Sequence, residues 1–495
     1  MSPPVKASGP RAAALAALVA LTACAAGPDY YRPALSASAG LGPAADQTRP
    51  EAPRPAPEMD VSADWWSVFH SPDLDALVAE ALRNNPTIAA ARSALRAARE
   101  QVRAQRGAYF PSIGASLQPS RARFAPVLAS PLQSGSDLYT LDTAQVTVSY
   151  APDLFGANRR AVESLVAQED QQRFELEAAR LTLASNVVQA AIQDALLRAQ
   201  IETSRAVVAD QRQTLASFER QYELGQASRA DLAAQQALLA QSEATLPPLE
   251  KQFRINRDLL AALVGRTPAE PVATHFDFAT LTLPERLPLS LPAQIVEHRP
   301  DVRMAEAQLR AASAQIGVAA AARWPNLDLT AAAGSAALSV APAFGGANSF
   351  WSLAATLTQP VFDGGVLRHR ERAARAIYDQ AAAQYQGAVV GAFQNTADVL
   401  HALATDAEAE RAAQASEIAS RRSLEIARRQ LGLGDISRLA LLTAEQNEAQ
   451  AKSALLQARA NRYDDVVALF QALGGGWWNR QPTSAAAKTE AGEGA

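Results

Sequence analysis

The chain has 495 residues and a formal charge of −4. A balance so close to neutral excludes a basic nucleic-acid footprint or an acidic tail as the dominant feature. The length suffices for several domains, yet downstream of the N-terminus no uncharged apolar run approaches about 18 residues, so a membrane crossing would have to be a closed β-barrel rather than a helix.

Residues 1–23 carry Lys6 and Arg11, no acidic residue, and an apolar run from Ala12 to Leu21. A basic flank, a short apolar stretch and small residues before a cut make a secretory signal, and a spanning helix would need roughly 20 residues. Cys24, the one cysteine in the chain, follows directly. No intrachain disulfide can form, and an anchor is a better reading than an incidental thiol behind an ordinary signal. Leu21-Thr22-Ala23-Cys24 resembles the lipobox of bacterial lipoproteins. The resemblance implies a covalent lipid on Cys24, palmitate among its acyl chains, and no other cofactor; Ala25 rather than aspartate after it favours the outer membrane. One acyl chain holds marginally, whereas three together hold stably.

From residue 73 the sequence says nearly the same thing twice. "LDALVAEALRNNPTIAAARSALRAA" (74–98) is echoed by "LPAQIVEHRPDVRMAEAQLRAA" (291–312), with Pro86 matching Pro300 and Pro111 matching Pro325. "YAPDLFGANRR" (150–160) is answered by "TQPVFDGGVLRHR" (358–370), "YELGQASRADL" (222–232) by "LGLGDISRLAL" (431–441), and "LLAALVG" (259–265) by "LFQALGG" (469–475). This order divides the chain into a signal (1–23), a lipidated N-terminal segment (24–72), a first repeat (73–265), a linker (266–291), a second repeat (292–475) and a polar tail (476–495) expected to be disordered.

Each repeat reads helix, strand, strand, long helix, turn, helix. The first helices are expected over 73–107 and 292–322, each ending before a proline that cannot continue it. Ile113, Ala115 and Leu117 alternate with polar neighbours, as do Ala144, Val146, Val148 and Tyr150, Leu327, Leu329 and Ala331, and Trp351, Leu353, Ala355 and Leu357. Period two gives one oily and one polar face, hence four strands in two hairpins. Their loops, 119–137 and 334–349, are rich in Pro, Gly, Ser and Ala, which suits extracellular loops. A helix of about 100 Å is expected over 157–222, and a partner as long over 367–431. Returning helices over 227–264 and 436–472 complete two coiled-coil hairpins, with a kink at Pro247-Pro248.

Four strands cannot enclose water. An outer-membrane barrel needs about eight, and one of eight is filled by its own side chains. Three copies would close at twelve strands with a lumen. The fold class is therefore mixed α and β: a homotrimeric twelve-stranded transmembrane barrel, four strands per chain, continued by a periplasmic helical barrel. Alanine-rich flanks such as "AAQQALLAQ" let neighbouring helices approach closely.

The lipobox, "GPDYYRP" (27–33), "DWWSVFHSPDLDALVAEAL" (64–82) and the duplicated Gly-x-x-Ser turns resemble the TolC-like outer membrane efflux proteins, in their lipoprotein (NodT-type) branch. The resemblance covers residues 21–478. It implies multidrug or other small-molecule efflux through an exit duct without chemistry of its own, docked to a periplasmic adaptor and an inner-membrane RND-type transporter, with outer membrane lipid as its surroundings. It implies that Leu224, Gly225, Ser228, Leu433, Gly434 and Ser437 form the adaptor-docking tip. It also implies a periplasmic gate at Leu439, Thr443 and Asp231, with threonine standing where relatives can carry aspartate. The glycine and serine of each turn have a local role as well, ending one helix and capping the next. No enzyme site is visible: His70, His275, His298, His369 and His401 stand without metal-ligand spacing. A pore-less, lipid-anchored trimeric coiled coil, or the same duct serving protein secretion or metal export, are the competing readings.

Overall fold

Two prolines set how each half begins. Pro86 disfavours a helical conformation in the residue before it, and Asn85 is extended (φ −65°, ψ 127°) between α1 (Pro72–Asn84) and α2 (Pro86–Gly107). The single helix expected over 73–107 is therefore two. Asn85 builds the corner: its Oδ1 accepts from the Thr87 amide at 2.8 Å, and its Nδ2 donates to the Leu263 carbonyl at 2.9 Å. In the second half Pro300 opens α6 (Pro300–Ala321), and Arg299 before it donates to the Ala472 carbonyl at 3.0 Å. A left-handed glycine closes each corner. A Cβ on Gly265 (φ +82°) would lie 2.7 Å from the Asn84 carbonyl oxygen, and one on Gly474 (φ +86°) would lie 3.3 Å from Arg299 Cα. The duplication is thus repeated in backbone geometry.

The computed structural model describes residues 26–32, 54–55, 60–123, 138–284, 286–287, 297–344 and 348–480. Cys24 and the signal segment lie outside them. The other long elements are β1 (Ser112–Arg123), β2 (Leu138–Tyr150), α3 (Ala157–Glu223), α4 (Arg229–Glu243), α5 (Leu246–Leu263), β3 (Asn326–Ala337), β4 (Ser349–Thr358), α7 (Val366–Leu433) and α8 (Arg438–Ala472). No described helix is long and apolar enough to cross a membrane. The described residues divide into two compact units, one holding those within 26–32, 94–172 and 305–385, the other those within 54–93, 173–304 and 386–480.

The first unit contains the sheet, ordered β1-β2-β3-β4 and antiparallel throughout. Its register joins the alternating residues of all four strands into rows. Ile113–Val148–Ala331–Leu353 and Ala115–Val146–Ala333–Trp351 are rows of one parity. Gly114–Thr147–Ala332–Ser352 is a row of the other. Because successive side chains leave a strand on opposite faces, the sheet has one apolar face and one small or polar face. The apolar face is uncovered: Ile113 is 73% exposed, Leu353 76% and Trp351 80%. Both hairpins extend past the loop starts expected at 119 and 334. β1 runs through Pro119 to Arg123, and β3 runs to Ala337 and is followed by one helical turn at Val340–Ala343. A proline fits β1 because it is an edge strand within the chain. Residues 124–137 and 345–347 of the loops lie outside the described set.

The second unit packs the returning helices around an aromatic core. Trp65, 1% exposed, stacks on Phe470 at 5.2 Å, and Phe69 stacks on Tyr463 at 5.9 Å. The Tyr463 hydroxyl donates to the Leu281 carbonyl at 2.7 Å. The N-terminal segment and the linker thus contribute core: Val61 in the first and Val272, Phe276 and Leu281 in the second are buried. The tail also begins later than 476. Trp477 Nε1 donates to the His298 carbonyl, Asn479 donates to the Val61 carbonyl, and Arg480 pairs with Glu177 at 2.8 Å.

α7 continues through Gly387 and Gly391 without a break. The kink in the first returning helix falls at Ala244 and Thr245, because Pro247 and Pro248 occupy the first turn of α5 and supply no amide to the residues before it. α8 has no such pair and runs unbroken for 35 residues.

Candidate functional site

The two helical hairpins turn at Leu224–Ser228 and Leu433–Ser437 with matching geometry. α3 ends in a left-handed Gly225 (φ +74°), and the Gln226 amide donates back to the Gln221 carbonyl at 2.7 Å. α7 ends in Gly434 (φ +80°), and the Asp435 amide donates to the Gln430 carbonyl at 2.9 Å. Glycine adopts this conformation without a Cβ penalty, and the reach back over the last turn satisfies carbonyls that would otherwise be orphaned.

The serines cap the returning helices, but the two caps differ. Ser228 Oγ accepts from the Asp231 amide at 3.1 Å, while Asp231 Oδ2 accepts from the Ser228 amide at 3.2 Å and from its hydroxyl at 2.7 Å. This is a complete capping box, which satisfies two donors reciprocally. Ser437 Oγ accepts from the Ala440 amide at 3.3 Å, and alanine at that place leaves the reciprocal half unbuilt. Leu224, Leu433 and Leu439 are exposed apolar side chains, at 71%, 76% and 71%. Thr443 is exposed, and its hydroxyl donates to the Leu439 carbonyl one turn earlier at 2.9 Å. Of the residues singled out from sequence, Ser228 meets Asp231 and Leu439 meets Thr443. Each group is assembled within its own hairpin.

Behind the second turn lies a charged junction that no sequence pattern marks. Arg428 on α7 donates to Asp210 on α3 at 3.0 Å and lies 3.7 Å from Glu445 on α8. One guanidinium therefore ties three helices. Burial pushes the Glu445 carboxyl above its usual range; Arg428 pulls it down and Asp210 pushes it up. A groove of about 320 Å³ opens here, with Gln211, Arg421 and Lys452 also on its wall. Nearer the turn, Leu424, Ala427, Leu441 and Ala444 form a buried cluster, flanked by Leu431 and Ile436, that zips α7 to α8. The partners of Arg428 lie 218 and 17 positions away, so neither a helical period nor a motif could have paired them.

Among the described residues no three His, Cys, Asp or Glu side chains converge to hold a metal. His275 stacks against Phe253, and burial, followed by Arg257, lowers its pKa. His298 packs on Trp478. The two turns thus present helix ends and exposed leucines, with an ion cluster behind the second.

Comparison with known proteins accords with this geometry. The family model for outer membrane efflux protein matches residues 77–266 and 291–475. The toluene efflux pump outer membrane protein TtgF of Pseudomonas putida is 30% identical over 485 residues, covering 95% of this chain and 98% of that one. Outer membrane protein OprJ of Pseudomonas aeruginosa is 30% identical over 468 residues, covering 93% and 95%. Among solved structures, the outer-membrane channel OprN superimposes with a TM-score of 0.82 at 26% identity, over 92% of this chain and all of that one. The CmeC outer membrane channel of Campylobacter jejuni gives 0.86 over 94% and 98%; at 22% identity it speaks for the fold alone.

Proposed function

The chain belongs to the outer membrane efflux protein family, and on that premise we propose that three copies build one exit duct of a tripartite exporter. It lies in the outer membrane and reaches into the periplasm, and its role there is efflux. The observation that carries the trimer is the sheet. β1 and β4 each have one strand partner among the described residues, and the face between them is apolar and uncovered. A sheet with open edges cannot stand in hydrocarbon, where every backbone polar group needs a partner. β1 of one copy pairing with β4 of the next resolves both edges, and the connection is antiparallel as the strand order requires. A pore-less envelope rod gives the apolar face no purpose.

The cargo is taken to be drugs or other small molecules, by likeness to the toluene efflux relative, with selection left to an RND-type pump. The adaptor meets Leu224, Gly225, Ser228, Leu433, Gly434 and Ser437. The gate comprises Leu439, Thr443 and Asp231, and the Arg428 junction is added to it because it holds α7 and α8 to α3. A covalent lipid on Cys24 anchors the mature N-terminus; mass spectrometry should find acylated Cys24, and an unmodified, differently cut N-terminus overturns that part. Native mass spectrometry in mild detergent tests the assembly. Three copies are expected, and a lone subunit that still passes ions would end the proposal.

A further inference from the structure

The stretch just after Cys24 is built into the first unit more firmly than a tether requires. Arg160, in the first turn of α3, is 5% exposed, yet its guanidinium serves the N-terminal segment. Nε donates to the Ala26 carbonyl at 3.2 Å, and Nη2 donates to Asp29 at 2.7 Å and to the Gly27 carbonyl at 3.5 Å, while Nη1 pairs with Glu163 at 2.7 Å. Buried charges persist only when paired and hydrogen-bonded in this way. Gly27 (φ +92°) lies so close to α6 that a Cβ would come within 2.5 Å of Gly317 Cα. A Cβ on Gly317 would in turn meet Arg160 Cγ at 2.7 Å and the Ala26 carbonyl oxygen at 2.8 Å. Farther along, Arg32 lies 3.4 Å from Glu306. Tyr30 is half-buried, its pKa raised to about 12 by burial first and Glu306 second.

The place of this socket matters. The Ala26 amide donates to the Phe155 carbonyl at 3.0 Å, and Phe155 stacks at 5.4 Å on Trp324, just ahead of β3. The segment is therefore docked where the strands end and the helices begin. Cys24 is two residues away, about 7 Å of chain at full extension.

Resting on the reading of Cys24 as lipidated, we propose that Arg160 is a positioning residue: it latches Gly27–Arg32 so that the acyl chains enter the membrane beside the chain's own strands, and this placement promotes assembly of the barrel. Equivalent face positions on α2, counted from Pro86 as α6 is from Pro300, carry Arg92, Arg99 and Arg103 where α6 has Glu306, Ser313 and Gly317. The second repeat alone has the glycine that lets the segment approach.

The test compares full-length variants in outer membranes. Arg160→Gln, Gly317→Val and Asp29→Asn loosen the latch; Asp29 is largely exposed, so its variant leaves the helices folded even where the others do not. A fourth variant inserts six Gly/Ser residues after Ala25, which keeps the latch but lengthens the tether by about 20 Å. Mass spectrometry should find acylated Cys24 in all four. Chymotryptic cleavage after Tyr30 should be at least tenfold faster in Arg160→Gln and Gly317→Val, threefold faster in Asp29→Asn, and unchanged with the spacer. The heat-resistant assembled fraction should fall at least threefold in Arg160→Gln and equally with the spacer, an effect that mere packing by Arg160 would not produce. Unchanged cleavage in all three point variants overturns the latch, and full assembly with the spacer overturns the placement role. An unacylated Cys24 sinks the lipid reading itself and is seen separately in the mass.

Discussion

Gly225 and Gly265 have nearly the same backbone angle and very different surroundings. A Cβ on Gly225 meets nothing within 4 Å, whereas one on Gly265 meets the Asn84 carbonyl oxygen at 2.7 Å. Gly225→Ala should therefore cost only the left-handed penalty, about 1–2 kcal/mol, and Gly265→Ala clearly more, because the corner before Pro86 must also move. Thermal unfolding of the two variants checks the order; equal midpoints would refute it. Both glycines were legible in sequence as helix ends, but the difference between them was not, since the crowding comes from a residue about 180 positions earlier.

Asp464 and Asp465 on α8 bear a pH signature. Burial raises the Asp464 carboxyl to about 6. Burial, then Asp406 and Asp464, raises Asp465 to about 7, against the pull of Arg462. An acid whose folded pKa lies above its ordinary value binds its proton more tightly in the folded state. Its stabilising contribution is complete below about pH 4 and is lost as pH rises through about 6 to 7. The thermal midpoint should fall between pH 5 and pH 8, and Asp464→Asn/Asp465→Asn should flatten that fall. An unchanged slope in the double variant would remove these carboxyls as its source.

At the scale of elements, Arg428 joins α7 to α3 through Asp210. The Arg428–Asp210 pair is exposed, and such pairs contribute roughly 0.2–1 kcal/mol. Arg428→Ala removes that pair and also the cation beside the buried Glu445, so it should lower the thermal midpoint modestly while loosening α7 from α3. In planar bilayers its conductance should exceed wild type at least severalfold; conductance equal to wild type would exclude the junction from the gate. The strands give a second contrast. Leu353→Lys faces lipid and should cost about 2–4 kcal/mol near the bilayer centre, whereas Ser352→Lys on the opposite face should be tolerated, as the assembled fraction will report.

Strand parity was readable because period two survives any loop length, and the hairpin turns were readable because glycine and serine act locally. Strand ends were read too short. Proline looks like a stop, yet an edge strand accepts it. The first helix was read as one because its apolar spacing continues across Asn85, and only the backbone consequence of Pro86 divides it. The ion cluster at Arg428 and the socket of Arg160 escaped for a common reason: their partners come from distant helices, and isolated charges leave no periodic trace.

For the whole molecule, the strand count decides the assembly. Each chain brings an apolar face of four strands whose two outer strands each have one partner among the described residues, and the duplicated helices bring two hairpin turns. Everything proposed about docking and gating presumes that β4 of one copy meets β1 of another. That contact can be captured directly. Cys24, the one native cysteine, is retained because its proposed lipid aids assembly and leaves no free thiol, so pairs introduced on the polar face, at Ser352 or Ala354 of β4 and Gly114 or Ser116 of β1, can form a disulfide only with each other. Oxidation in intact outer membranes should give, on denaturing gels, a covalent ladder of one, two and three chains that stops at three. A ladder ending at two, or single chains under every pairing, would contradict the shared barrel.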